Sequence, residues 1–464
     1  MAHKILFIAP LPPPVHGSSM VSKYIKESTL IQESFDCDFV NLSTSRTMDE
    51  IGKGGLKKIF RFLGSLFTLL GKLLTHRYDL CYIAITCHGM GFLKDAPFAL
   101  LCKLFGRKLL LHQHNKGMSR DCNRWPYRWL MPLVYRNATV MLLSWNLYPD
   151  ISAVVKREQV IVCPNGVPPL DNENLAAELR ATINVERGTE LNSQFTIDNS
   201  QLTISTEGAH PQPSSIDLSC QRDNTEFRHD DACCARVGLP DGNCPPRLGG
   251  RAEERSDRAE GVYSKHYTLN SKLNAVPRLL FLSNLIVSKG IYVLLEACQR
   301  LKERGVAFHC DYVGGESKEV TGEQFRKAIA ERGLEDCVIY HGPQYGADKD
   351  RAFRRADIFV QPTFDDCFPL TLVEAMQYRL PIVSTDVGAI PDIVTDGVNG
   401  LVCKQQDVDS LVEALTTLLA DAALRREMGE RGHARYLKEM TLEAFEKSFA
   451  EALRSTVNRT GGAG

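Results

Sequence analysis

The chain reads as an α/β protein of two doubly wound, Rossmann-like domains with a long irregular insertion between them. Three observations predict this. Short apolar runs alternate with amphipathic stretches over the first 170 residues, the same alternation resumes at Arg278, and the segment between has a different composition. Continuous apolar runs spaced by helical patterns belong to parallel strands buried on both faces. In the first domain the runs are Ile5–Ala9, Leu80–Ile85, Lys108–His112, Thr139–Leu143 and Val160–Cys163, and Ser18–Lys26 begins the first helix. In the second they are Arg278–Ser283, Ala307–Val313, Cys337–Tyr340, Ile358–Gln361 and Pro381–Ser384. Ser288–Leu301 is expected to be a helix with Ser288 as its N-cap. A long charged amphipathic segment, Asp407–Arg454, closes the chain.

The expected division is 1–170 for the first domain, 171–275 for the insertion and 276–440 for the second domain. Residues 441–464 would be a helix packing back towards the first domain, with a frayed tail. Within the insertion, residues 186–262 are rich in Ser, Asp, Glu, Arg, Asn and Gly, and Phe195 and Phe227 are the sole aromatics. Such a stretch buries too little apolar area to offset chain entropy, so disorder is expected there.

Composition narrows the function classes. The chain has 464 residues, a formal net charge of -1 and 44% hydrophobic residues. Bulk attraction to nucleic acid is therefore not expected. No run approaches the ~20 apolar residues of a spanning helix. The opening MAHKILFIAP leads directly into a strand pattern, so no signal peptide is expected. Fifteen cysteines scattered along such a chain read as reduced thiols of a cytoplasmic protein.

Five loops could carry chemistry. Pro12-Pro13-Pro14-Val15-His16-Gly17-Ser18-Ser19 follows the first strand. Gly17 there permits close approach of the backbone, and the next helix offers free N–H groups to a phosphate. Neither GxGxxG nor a Walker motif is present, which lowers dinucleotide and P-loop readings. Leu111-His112-Gln113-His114-Asn115-Lys116-Gly117 ends another strand. Its two histidines are expected on opposite faces, one of them lining a crevice, and a metal pair is disfavoured for want of a third ligand. Val162-Cys163-Pro164-Asn165-Gly166-Val167-Pro168 reads as a tight turn. Ser283-Asn284-Leu285-Ile286-Val287-Ser288-Lys289-Gly290 puts a lysine at a helix start. A cation opposes the dipole there, which points to an anion met at that end.

The fifth loop is the most specific: Asp365-Asp366-Cys367-Phe368-Pro369-Leu370-Thr371-Leu372-Val373-Glu374-Ala375-Met376. Pro369 suits a first helical turn. Asp366 then lies in the loop and Glu374 more than one turn into the helix. Two carboxylates flanking an amide-rich helix start can accept hydrogen bonds from sugar hydroxyls beside a bound diphosphate.

With these motifs in this order, the chain resembles the retaining glycosyltransferases of family 4, which have the GT-B fold. Gly388-Ala389-Ile390-Pro391 and Gly397-Val398-Asn399-Gly400 add matching turns. The resemblance covers nearly the whole chain except the insertion. It implies transfer of a sugar from a nucleotide-sugar donor, with retained configuration and no required metal or other cofactor. It makes the first domain the acceptor side and the second the donor side. It implies that Lys289 and backbone amides near Gly17, Ser18 and Phe368-Pro369-Leu370 hold the diphosphate. Glu374 would bind the ribose, Asp366 the transferred sugar, and His114 would sit beside the reacting carbon. The chain departs from the family at three positions: Asp366 replaces a glutamate, Asn284 stands where an arginine is frequent among the donor contacts, and Arg379 stands where glycine is common. The insertion is a fourth departure. Its Cys220, Cys233, Cys234 and Cys244, with His210 and His229, follow no recognised zinc spacing.

Residues 53–77 contain Lys53, Lys57, Lys58, Arg61, Lys72 and Arg77 without an acid, interleaved with Phe and Leu. Either an interfacial helix on an anionic membrane or a core-packed helix with snorkelling lysines accounts for this. The favoured function is a cytoplasmic glycosyltransferase, with a peripheral place on the inner face of the membrane as an option, acting on a glycan or lipid-linked acceptor in envelope polysaccharide or glycolipid assembly. A nucleotide-sugar epimerase on the same fold, or a silent binding component of a polysaccharide-assembly complex, are the alternatives.

Overall fold

The computed structural model describes residues 3–13, 17–43, 55–170 and 276–459. The insertion at 171–275 with its cysteines and histidines, Pro14–His16 of the first loop, Lys53, and residues 460–464 of the tail lie outside the described residues.

The first lobe is built on β1 (Lys4–Ala9), β2 (Asp36–Asn41), β3 (Leu80–Ile85), β4 (Lys108–Gln113), β5 (Thr139–Leu142) and β6 (Val160–Val162). They form a six-stranded parallel sheet in the order β2-β1-β3-β4-β5-β6. Its helices are α1 (Gly17–Glu27), α2 (Thr29–Ser34), α3 (Leu56–Thr75), α4 (Gly89–Leu104), α5 (Met118–Asp121), α6 (Tyr127–Tyr135) and α7 (Tyr148–Ile151). Alternation along the strands feeds two cores. Leu6, Ile8, Ile83 and Leu111 join Leu69 of α3, Phe92 of α4 and Val134 of α6. Ile5, Phe7, Tyr82 and Leu110 join Val21 and Ile25 of α1 on the other face.

The second lobe repeats the plan with β7 (Arg278–Leu282), β8 (His309–Val313), β9 (Val338–Tyr340), β10 (Ile358–Gln361), β11 (Ile382–Thr385) and β12 (Gly400–Cys403). The order is β12-β11-β10-β7-β8-β9, again parallel. Its helices are α8 (Ile291–Glu303), α9 (Gly322–Glu331), α10 (Ala347–Arg355), α11 (Leu370–Gln377), α12 (Val408–Ala420) and α13 (Ala422–Arg435), and α14 (Leu442–Asn458) follows them in the chain. The two α/β lobes are thus both doubly wound, as the apolar pattern predicts.

Strands β2 and β12 are absent from the sequence reading. Both are edge strands, each hydrogen-bonded to one neighbour. In β2 the polar Asp36 and Asp38 interrupt the apolar run and pair with Lys4 and Lys72. β12 opens on Gly400, where a Cβ would stand 2.2 Å from the Ile382 carbonyl oxygen.

One expected helix start is corrected. Ser288 is not an N-cap: it lies in a 3-10 turn, Val287–Lys289, and α8 starts after Gly290 at φ 84°. The amphipathic stretch Asp407–Arg454 is divided among α12, α13 and α14. Asp421 and Thr441 each interrupt it, their side chains accepting from the amides of Leu424 and Ala444 to start new helices. The last of these, α14, buries Phe445, Phe449 and Leu453 against the α1 face of the first sheet. It is tied there by Leu442 N–H to Val167 carbonyl at 2.8 Å and Val167 N–H to Met440 carbonyl at 3.1 Å. Gly166 permits this approach, since a Cβ would lie 2.2 Å from the Thr441 carbonyl oxygen.

In each sheet the strand order reverses once, between β1 and β3 and between β7 and β10. Open parallel sheets bind ligands outside the carboxyl ends of the strands at such points. The loops singled out above, after β1, β4, β7 and β10, leave those ends or their neighbours.

Candidate functional site

The second-lobe wall of the site joins the loop after β7 to the loop after β10. Gly290 makes the junction: a Cβ there would meet the Pro362 carbonyl oxygen at 2.1 Å. Across it, the Phe364 N–H and the Thr363 hydroxyl both donate to the Ser288 carbonyl at 2.9 Å. Lys289 is thereby set against the Asp366 loop. Its Nζ donates to Asp366 Oδ2 at 2.6 Å and to the Asp365 carbonyl at 3.2 Å. Both side chains of this pair are largely buried.

Two more groups hold the Asp366 carboxylate. Its Oδ1 accepts the Cys367 N–H at 2.8 Å, and Gln361 Nε2 lies 3.5 Å from Oδ2. Gln361 Oε1 accepts the Thr371 hydroxyl at 2.8 Å, so one buried amide links the loop to the first turn of α11. Beneath the loop, Ala389 N–H donates to the Cys367 carbonyl at 2.8 Å. Gly388, at φ 60°, lies so close that a Cβ would meet the Asp366 carbonyl oxygen at 2.4 Å. The Gly388-Ala389-Ile390-Pro391 turn is a buttress for the acidic loop.

Helix α11 has Pro369 at its N-cap and no side-chain cap. Its first amides are therefore orphan donors with the positive end of the dipole behind them. Glu374 follows on the same helix. Lys349 of α10 donates to Glu374 Oε1 at 2.7 Å, while Oε2 is buried with no hydrogen-bond partner among the described residues. A buried acceptor left unpaired costs about 1–3 kcal/mol, which a ligand hydroxyl would recover. Glu374 also faces the first lobe. Burial pushes the Tyr24 phenol of α1 up to about 12, and the Glu374 charge adds to it. Leu370 packs into the core that holds α1.

The first-lobe wall is the loop after β4. His112 and His114 are not on opposite faces: their ring centroids are 4.0 Å apart. Strand periodicity is two, so residues i and i+2 share a face, and the expectation of opposite faces was mistaken. His112 is the deeper. It is fully buried, with Nδ1 2.8 Å from the Tyr82 hydroxyl. Burial, then the neighbouring His114, holds its pKa well below the ordinary histidine value. His114 is half-buried at the mouth of the loop. Two residues on, Lys116 Nζ reaches Asp365 Oδ1 at 3.2 Å, so the His114 loop and the Asp366 loop face one another directly. The thiol of Cys367, raised chiefly by burial and next by Asp366, also feels Lys116 and Asp150 of the first lobe.

The remaining expected positions separate. Gly17 and Ser18 open α1, and no described atom lies within 4 Å of where a Gly17 Cβ would stand. Phe368 is buried beside α11. Asn284 Oδ1 accepts the Gly315 N–H at 3.1 Å, which holds the turn after β8. Lys349, Gln361, Lys116 and Tyr24 are site neighbours that the sequence reading did not single out. Gln361 carried a signal, a lone amide ending an apolar strand. Lys349 carried none, because it is one cation in an ordinary charged helix. Among the described residues no group of three His, Cys, Asp or Glu side chains could hold a metal ion.

Residues 270–435 match the family of glycosyl transferases group 1. This span contains every second-lobe site residue named above. Among curated proteins, the amylovoran biosynthesis glycosyltransferase AmsK of Erwinia amylovora is 30% identical over 179 residues, 37% of this chain and 43% of that protein. D-inositol 3-phosphate glycosyltransferase of Corynebacterium glutamicum is 31% identical over 190 residues, 40% of this chain and 43% of the relative. The putative colanic acid biosynthesis glycosyltransferase WcaL of Salmonella typhimurium is 29% identical over 180 residues, 37% and 42% respectively. The chain thus spans less than half the length of these relatives. Among solved structures, sucrose-phosphate synthase from Thermosynechococcus elongatus superposes with a TM-score of 0.62 at 16% identity, over 99% of this chain and 100% of that one. Anabaena Alr3699/HepE in complex with UDP gives 0.59 at 16% identity, over 97% and 100%. At such identities the likeness is one of fold: two Rossmann-like lobes of GT-B type.

Proposed function

We propose that the protein is a glycosyltransferase that moves a sugar from a nucleotide-sugar donor to a glycan or lipid-linked acceptor, with retention of configuration and without a metal, in polysaccharide or glycolipid assembly. The observation that carries this reading is the α11 start. An uncapped helix N-terminus stands between Asp366 and Glu374, with the Lys289 ammonium alongside. A nucleoside diphosphate needs that arrangement. The helix amides and Lys289 meet its phosphates, and Glu374 Oε2 accepts from a ribose hydroxyl. An ammonium has three N–H donors; Asp366 and the Asp365 carbonyl take two, and the third remains for a phosphate oxygen. As the glycosidic bond breaks, negative charge grows on the diphosphate. Fixed dipoles and a fixed cation stabilise it there without reorganising. Asp366, anchored by Lys289 and Gln361, presents its carboxylate to the transferred sugar. His114 stands on the opposite wall, where the sugar's reacting face would be. Two of the curated relatives bear names of polysaccharide biosynthesis, and solved neighbours include complexes with UDP and UDP-glucose, which supports a uridine nucleotide as the first donor to try. A cytoplasmic location, peripheral to a membrane that supplies the acceptor, suits this chemistry.

The test is a panel of UDP-, GDP- and ADP-sugars, read first by thermal stabilisation and then by release of nucleoside diphosphate with and without a chelator. One donor should raise the melting temperature, and its turnover should need an acceptor and survive chelation. Product NMR should show the donor's anomeric configuration kept. Conversion of the donor to its epimer without an acceptor would reassign the protein, and indifference to every nucleotide sugar would end the reading. Lys349→Met supplies a finer check. Loss of the Glu374 anchor should raise the donor KM about tenfold with kcat little changed, because the ribose contact is the same in ground and transition states.

A further inference from the structure

We propose that the outer surface of the α3–α4–α6 layer is a docking face for an anionic lipid bilayer, with two contact patches: an apolar ridge on α3 and a tryptophan corner at the start of α6. The inference rests on the membrane part of the reading above and is independent of the sugar chemistry.

Helix α3 carries two apolar ridges where a surface helix needs one. The inner ridge is Phe62, Leu66, Leu69 and Leu73, packed into the sheet core, with the Phe62 ring edge-on to Phe98 of α4 at 5.6 Å. The outer ridge is Leu56, Phe60, Leu63, Phe67 and Leu74, at helical spacing and turned about 120° around the axis from the inner one. All five are exposed, and Phe60 and Phe67 are 70% and 71% accessible. The core-packed account of residues 55–77 therefore explains only half of the helix. On the same side of the sheet, Trp125 and Trp129 are 81% and 62% accessible, and the Arg128 guanidinium lies 4.9 Å over the Trp129 ring. Tryptophan is seldom this exposed; a ring that is apolar in body and polar at its edge suits a headgroup boundary.

Charge selects the occupant. Helices α3, α4 and α6 together carry seven Lys and Arg against one acid, Asp95, which is buried, in a chain whose net charge is -1. A second copy of this face would bring cations against cations, so self-association is opposed, whereas an anionic surface is complementary. No described helix is long and apolar enough to cross a membrane, so the face lies on the bilayer. The layer's helices begin at the carboxyl ends of β2, β3 and β4, the side where the site opens. A lipid-borne acceptor held at that rim would present its headgroup to the cleft.

The experiment is co-sedimentation of the full chain with phosphatidylcholine vesicles, with and without phosphatidylglycerol, at low and high salt. Binding should require phosphatidylglycerol and fade with salt. It should weaken about tenfold or more in Phe60→Ser/Phe67→Ser and, separately, in Trp125→Ser/Trp129→Ser. These side chains are exposed, so both variants should keep the wild-type melting temperature. Failure to bind phosphatidylglycerol vesicles, or binding that neither pair weakens, overturns the proposal. A dimer that either pair dissolves would assign the face to a second copy and overturn it equally. If vesicles bind as expected and no nucleotide sugar turns over, the docking face stands and the transferase reading falls.

Discussion

The two lobes share a sheet plan but treat their helix N-termini differently. In the first lobe two of these ends, those of α4 and α5, are filled by the lobe's own carboxylates. Asp121 accepts the Gly89 N–H at the start of α4, and Asp150 accepts the amides of Gly117, Met118 and Ser119 at the start of α5. Burial alone would raise the Asp150 pKa, but these bonds and the Ser119 hydroxyl hold it below the usual carboxylate range. In the second lobe, α9, α12 and α13 are capped by Thr321, Asp407 and Asp421. The two helices at the reversal of strand order, α8 and α11, have glycine and proline instead. Helix α10 also lacks a cap, but Asp348 and Asp350 occupy its first turn. Within the second lobe, the helix starts with neither a side-chain cap nor a first-turn acid are thus the two at the reversal of strand order, open to an anion from outside.

That contrast is broken most directly at Lys289. Lys289→Ala removes the one cation bonded to Asp366 and should reduce donor turnover by about a hundredfold or more, a loss typical of removing one stabiliser of developing charge. The folded chain should persist, since the pair is only one contact of the loop. Turnover within a few-fold of wild type would mean that the open end of α11 is not where charge develops.

The buttress gives the next largest effect. Gly388→Ala places a Cβ 2.4 Å from the Asp366 carbonyl oxygen at a backbone φ of 60°. Strain of about 1–2 kcal/mol is expected from the conformation alone, and the acidic loop must shift as well. Melting temperature and donor KM should both worsen. A matched substitution at Gly397, also at positive φ but with open space around it, should cost stability and leave KM alone. Equal KM effects at the two glycines would remove the special role of the buttress.

How much of this was legible beforehand depends on whether the signal was local. Continuous apolar runs gave ten of the strands, because strands buried on both faces admit few polar residues. The two missed strands, β2 and β12, lie at edges, where Asp36, Asp38 and Gly400 blur the pattern. Asp366, Glu374 and Lys289 were visible because loop chemistry and helix starts have sequence signatures. Their partners Lys349 and Lys116 were not, since ion pairs across the fold leave no trace in spacing. Ser288 was misread because a capping residue before an apolar run looks alike whether the helix starts at once or after a glycine turn.

The buried histidine sharpens the comparison from the first-lobe side. His112 sits under His114 with its pKa lowered by burial. The unfolded chain takes up a proton below about pH 6.5 that the folded chain refuses. Stability should therefore fall as pH drops from about 7.5 to 5.5, by up to about 1.4 kcal/mol per pH unit from this group. His112→Asn keeps an acceptor for Tyr82 and removes the titration, so its melting temperature should vary less over that range. An unchanged slope would place the pH dependence elsewhere.

The smallest effect concerns a residue, not a lobe. Arg379 follows α11 at φ 58°, in the left-handed region where glycine is favoured. Its guanidinium gains only a half-exposed pair with Glu430 at 3.2 Å, worth little in solvent. Arg379→Gly should therefore be neutral or stabilising by up to about 1 kcal/mol in denaturant unfolding. Donor KM should not move, because the residue closes α11 at the end away from the diphosphate. A rise in KM would show that the C-terminal end of α11 also sets the position of Glu374, one turn before it.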